Sequence, residues 1–111
     1  MYVSVTTFKV NSIWAQWIFQ AHAFSSFLQA RASKGILKTE TFSPDRGIYN
    51  TLTHWESKAA MLKFRNSGSH LKAMKLSNKL GHGLTAGWES KQFVAREEAC
   101  QKLQTVKGKL N

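Results

Sequence analysis

The segment Tyr2-Val3-Ser4-Val5-Thr6-Thr7-Phe8-Lys9-Val10, running into Asn11-Ser12-Ile13-Trp14, decides how this chain is read. Val3, Val5 and Thr7 alternate against Tyr2, Ser4, Thr6 and Phe8, and that period of two makes a strand. Asn11 or Ser12 can cap a helix by accepting a free first-turn N–H. Trp14, Trp17, Ile18, Ala21, Phe24 and Leu28 then recur at spacings of three and four, which predicts a helix with one continuous apolar face. Gly35 suits its end, because glycine takes the left-handed conformation without a Cβ clash.

Working outward, Ile36 to Phe42 and Gly47 to Trp55 read as a hairpin around Ser43-Pro44-Asp45-Arg46-Gly47. Ser57 can cap a short helix to Phe64 or Arg65, Asn66-Ser67-Gly68-Ser69 interrupts it, and Ser67 or Ser69 starts another that ends at Leu80-Gly81. A last strand, Leu84 to Ser90, puts Leu84, Ala86 and Trp88 on one face. The order β-α-β-β-α-β defines an α+β, ferredoxin-like antiparallel sheet with the helices on one face. Residues 1–91 hold this domain, and residues 92–111 form a basic C-terminal appendage, part helical through Phe93, Ala99, Leu103 and Val106. The uncovered second face of such a sheet favours a homodimer in which two sheets close on each other.

At 111 residues with 42% hydrophobic content the chain makes one core, and its formal charge of +10 favours anionic partners. A lone Cys100 excludes an intrachain disulfide and a thiolate zinc site, which points to a reducing, cytoplasmic setting. The first residues lack a signal peptide's basic region and apolar core. Gln16, Gln20, His22, Ser25 and Ser26 interrupt the most apolar stretch, so a soluble protein without a membrane span is expected. Between Ser57 and Leu80 lie Lys58, Lys63, Arg65, Lys72, Lys75 and Lys79 but no acidic residue. Lys72, Lys75 and Lys79 share one helical stripe, either a solvated face or a docking surface for something anionic: nucleic acid, a lipid headgroup or an acidic partner. No zinc-finger, helix-turn-helix or RNP motif supports specific nucleic-acid binding.

His70 carries the most chemical promise. Ala73, Leu76 and Leu80 centre the buried stripe of its helix, with His70 and Met74 on one flank and the lysines on the other. A histidine at a core edge can line a cavity between helix and sheet and act there as acid, base or ligand; the alternative is a hydrogen-bonded boundary residue. His22 could face the same cavity, His54 ends the third strand, and His82 reads as a loop residue between two glycines. No pair has metal-ligand spacing, so no metal centre is expected, and no G-x-S-x-G, P-loop or dinucleotide fingerprint occurs. Trp14, Trp17 and Trp55 serve either as packing or as walls of an aromatic pocket for a flat or elongated hydrophobic ligand.

The run Thr53-His54-Trp55-Glu56-Ser57-Lys58-Ala59-Ala60-Met61-Leu62-Lys63-Phe64, followed by Ser69-His70-Leu71-Lys72-Ala73-Met74, resembles the dimeric α/β-barrel superfamily of antibiotic biosynthesis and haem-degrading monooxygenases. Its W-x-S-x-x-A-x-x-x-F and H-x-x-A-M pattern looks closest to spheroidene monooxygenase and its relatives. The resemblance implies a homodimeric barrel and a ligand pocket in each subunit, with oxygen inserted into an aromatic or isoprenoid substrate. It leaves two cofactor options, none or haem, with His70 as base or as iron ligand and His22 as a second candidate base. The Trp and His of the haem-degrading branch align with Phe64 and Met74, which joins these two to the expected pocket wall, and the first strand offers no matching Asn. The alternative is a non-catalytic ligand-binding or interaction module with a basic docking helix.

Overall fold

Eight elements follow one another in the computed structural model, which describes residues 1–110 and leaves aside the side chains at 69, 73, 77, 78 and 108–110. They are β1 (Tyr2–Val10), α1 (Ile13–Ala32), β2 (Ile36–Asp45), β3 (Ile48–Trp55), α2 (Lys58–Arg65), α3 (Gly68–Leu80), β4 (Gly81–Glu89) and α4 (Arg96–Leu110). The four strands form one sheet in the order β2-β3-β1-β4, with every neighbouring pair antiparallel. This is the ferredoxin-like α+β fold that the element order predicts. Ser12 caps α1 by accepting from the Ala15 N–H at 3.1 Å, and Ser57 caps α2 by accepting from Ala60 N–H at 3.1 Å. Ser69, offered as a cap, and Ala73, offered as the middle of a buried stripe, lie outside the described side chains.

Two strand boundaries differ from the expectation. β2 runs through Pro44 to Asp45, leaving only Arg46 and Gly47 to turn the hairpin. β2 is an edge strand, where a proline lacking an N–H is tolerated, and the register shifts between Phe42 and Asp45. β4 starts at Gly81 rather than at Leu84, so His82 lies on a strand and not in a loop. Glycine is required there: a Cβ at Gly81 would collide with the Lys9 carbonyl of the neighbouring strand.

The largest correction concerns the first helix. The stripe Trp14, Trp17, Ile18, Phe24 and Leu28 faces outward; Trp14 is 78% and Trp17 71% exposed. The face turned to the sheet carries Ala15, Phe19, His22, Ala23, Ser26 and Ala30 instead. Both faces have apolar residues at helical spacing, and the sheet receives the one with smaller side chains.

The second face of the sheet is not bare. Val3, Val5, Leu52 and Ala86 pack beneath Val94, Ala99 and Leu103, so α4 and the segment before it share one core with the strands. The case for a homodimer from an uncovered face therefore loses its premise: within one chain α4 already occupies that ground.

Candidate functional site

Strand alternation and register together build an uncommon surface on the face opposite α4. Thr41 pairs with Thr51, Thr51 with Thr6, and Thr6 with Thr85, so one row of threonines crosses all four strands. The next row on the same face is Thr39, Thr53 and Ser4. The Thr6 and Thr85 hydroxyls lie 3.1 Å apart, and Thr53 Oγ1 donates to the Ser4 carbonyl at 3.3 Å. These short hydroxylated side chains face the small residues Ala23, Ser26 and Ala30 of α1. Neither surface fills the gap between them, and a cavity of about 480 Å³ remains, within the range of small-molecule sites.

The upper wall is aromatic and carries two of the proposed catalytic residues. Phe19, His22 and Phe27 come from α1, Phe64 from α2, and His70 and Met74 from α3. Phe8 closes one end by stacking on Phe19 at 4.8 Å between ring centres. His22, His70, Phe64 and Met74, all singled out in the sequence, thus line one cavity. Trp14 and Trp17 do not, because they ride on the outer face of α1. Trp55 does not either: it is fully buried, donates its indole N–H to Thr53 Oγ1 at 2.8 Å, and supports Phe64 from behind at 5.2 Å. Lys72, Lys75 and Lys79 are exposed on α3, outside the cavity lining.

His70 is held from three sides. Its ring lies 4.6 Å from that of Phe64. Its backbone N–H donates to Gln29 Oε1 at 2.9 Å, while Gln29 Nε2 donates to the carbonyls of Phe64 and Ser67 at 3.1 and 2.9 Å. Gln29 therefore clamps the junction between α2 and α3, and Gly68 makes room for it, since a Cβ there would sit 3.0 Å from Gln29 Oε1. His70 Nδ1 lies 3.2 Å from the Arg65 carbonyl. A carbonyl can only accept, so in the neutral ring Nδ1 carries the proton and Nε2 keeps its lone pair. Burial pushes the imidazole below its ordinary pKa; the Arg65 carbonyl bond opposes that shift and the Arg65 charge adds to it. A neutral ring with a free Nε2 is the form a general base needs.

Two features escape a reading by sequence alone. The threonine rows were visible as Ser4-x-Thr6, Thr39-x-Thr41 and Thr51-x-Thr53, but only the strand register shows them sharing a face. On the other face His54 is fully buried, and its Nε2 accepts the Val94 N–H at 2.9 Å, tying down the approach to α4. Burial lowers its pKa, Lys38 acts in the same direction, and Glu40 opposes them. Its Nδ1 is buried without a hydrogen-bond partner, as is Ser26 Oγ in the cavity lining. Among the described residues no group of three or more His, Cys, Asp or Glu is arranged to hold a metal ion.

Comparison with known proteins places the fold. Rv0793 from Mycobacterium tuberculosis is 16% identical with a TM-score of 0.72, over 86% of this chain and 100% of that one. An antibiotic biosynthesis monooxygenase is 14% identical with a TM-score of 0.71, over 83% of this chain and 100% of its own. SnoaB, a cofactor-independent oxygenase from Streptomyces nogalater, is 12% identical with a TM-score of 0.68, over 86% of this chain and 97% of its own. The chain thus has the fold of antibiotic biosynthesis monooxygenase-like structures. No family model matches it, and no curated protein does.

Proposed function

We propose that this chain is a small cofactor-independent oxygenase acting on a hydroxylated aromatic ring, with His70 as general base. The observation that carries the reading is one cavity with a hydroxyl floor, an aromatic wall and an imidazole whose Nδ1 lies 3.2 Å from the Arg65 carbonyl. A flat phenol or quinol suits it: the ring lies among Phe19, Phe27 and Phe64, and its hydroxyls exchange hydrogen bonds with Thr6, Thr51 and Ser26. His70 Nε2 takes the phenolic proton, with His22 the second candidate base in the same wall. The electron-rich anion then transfers an electron to dioxygen, and the two radicals join in a carbon–oxygen bond to give a ring peroxide. Loss of water from that peroxide leaves a quinone carbonyl: the ring gives up four electrons, one oxygen atom stays and the other departs as water. No outside reductant is consumed. The fold shared with SnoaB, whose description is that of a cofactor-independent oxygenase, supports the same chemistry.

Haem fits these residues less well. His70 Nε2 could meet iron, but a porphyrin face packs on apolar side chains, and here the broad floor is threonine. The same argument favours a hydroxylated ring over the isoprenoid that likeness to spheroidene monooxygenase suggests. A homodimer through the second sheet face would have to displace α4 or close over it, and a sedimentation mass of twice 12.6 kDa would show that a dimer forms.

Oxygen uptake with a panel of naphthols and hydroquinones tests the reading. Uptake that matches quinone formation, and that falls by about 10²–10⁴-fold in His70→Ala, is the expected result. Binding of the panel without oxygen uptake would make the chain a ligand-binding module instead.

A further inference from the structure

The outward stripe of α1 has no place in the cavity chemistry. Trp14, Trp17, Ile18, Phe24 and Leu28 lie along one side of a 20-residue helix, all substantially exposed. The charge around them is one-sided. α1, α2 and α3 contain no Asp or Glu, whereas Arg31, Lys58, Lys63, Lys72, Lys75 and Lys79 are exposed on these helices. α1 and α3 pack side by side, so the exposed stripe of α1 and the exposed lysines of α3 belong to the same helical layer. All six acidic residues lie elsewhere: Glu40 and Asp45 on β2, Glu56 after β3, Glu89 on β4, and Glu97 and Glu98 on α4.

We propose that this outer layer docks the protein on an anionic phospholipid surface, with Trp14 and Trp17 entering the interface and the lysines of α3 meeting the headgroups. Aromatic rings beside a basic face suit a helix lying in the membrane plane, because tryptophan prefers the headgroup level and the anionic leaflet attracts each lysine. Charge complementarity selects this occupant over a second copy of the chain. Two copies meeting through the stripe would bring like-charged helices together, at a Coulombic cost that no acid on those helices relieves. None of the described helices is long and apolar enough to cross a membrane, so the contact is one of lying on the surface. The inference goes beyond the oxygenase reading and does not depend on it.

Flotation of the full chain with vesicles of phosphatidylcholine, with and without phosphatidylserine, tests this. Binding only to the phosphatidylserine vesicles, weakened by salt and accompanied by a blue shift of tryptophan emission, is expected. Trp14→Gln with Trp17→Gln should lower that binding by at least about tenfold, as loss of two large side chains from the lipid interface requires. Lys72→Gln with Lys75→Gln and Lys79→Gln should weaken the preference for phosphatidylserine. All these side chains are exposed, and circular dichroism checks that the variants stay folded. No vesicle binding at low salt, binding that the tryptophan variant leaves unchanged, or a stable dimer that the tryptophan variant dissociates would each overturn the proposal. A His70→Ala control should bind vesicles as the parent does, so loss of oxygenase activity cannot be mistaken for loss of docking.

Discussion

The two faces of the sheet are made by the same four strands and do opposite things. Under α4, Val3, Val5, Leu52 and Ala86 meet Val94, Ala99 and Leu103 in close apolar packing. On the other side, Thr6, Thr41, Thr51 and Thr85 meet the small residues of α1 and leave space. Side-chain size accounts for the difference: branched aliphatics interdigitate with a helix, whereas threonine opposite alanine and serine cannot reach across. The α4 face is packed throughout, whereas the other is packed around Trp55 and around Phe8 and leaves a cavity between them, so damage to the α4 face and to the cavity should register in different measurements.

Removing α4 attacks the packed face most severely. A chain ending at Lys91 leaves Val3, Val5, Leu52 and Ala86 uncovered, and the folded monomer should be lost to aggregation or pairing; an unchanged monomer by light scattering would break the comparison. Leu52→Ala, which empties a fully buried position on that face, should cost about 2–5 kcal/mol in urea unfolding. Gln29→Ala lies at the edge of the cavity face and should cost about 1–3 kcal/mol, because it orphans the hydrogen bonds that join α1 to the α2–α3 junction. Acid sharpens the contrast in another way. His54 and His70 both have pKa values lowered from 6.5, so folding favours their neutral forms. Stability should be full above pH 6.5 and decline as the pH falls through the folded-state values, where the unfolded chain binds more protons. A His54→Gln variant, whose amide oxygen can still accept the Val94 N–H, should show a shallower decline in thermal melts. Thr51→Val on the cavity floor should have the smallest effect on stability, roughly within 0.5 kcal/mol, while measurably weakening a hydroxylated ligand.

The contrast between faces also explains what the sequence disclosed. Local signals gave the element order: the alternation at Tyr2–Val10, the caps at Ser12 and Ser57, and Gly35 at φ 90° beyond the first helix. The placing of His70, His22, Phe64 and Met74 around one cavity followed from helix geometry and from the resemblance. The orientation of α1 did not, because Trp14, Trp17, Phe24 and Leu28 make a stronger periodic signal than Ala15, Phe19, Ala23 and Ala30. Hydrophobic periodicity reports which residues share a face, and it cannot say whether that face meets a sheet or a membrane. The threonine floor depended on strand register, a long-range property that links Thr6 to Thr51 and Thr85. The coverage of the second sheet face by α4 was hidden for a related reason: Ala99, Leu103 and Val106 mark a helix, but nothing local says which surface that helix covers.

A crystal structure of the chain with a naphthohydroquinone tests the central claim most directly. The account predicts the ring between the threonine floor and Phe19, Phe27 and Phe64, with a ligand hydroxyl within hydrogen-bond reach of His70 Nε2. A collapsed cavity with α1 seated directly on the threonines, or a ligand bound away from His70, would contradict it.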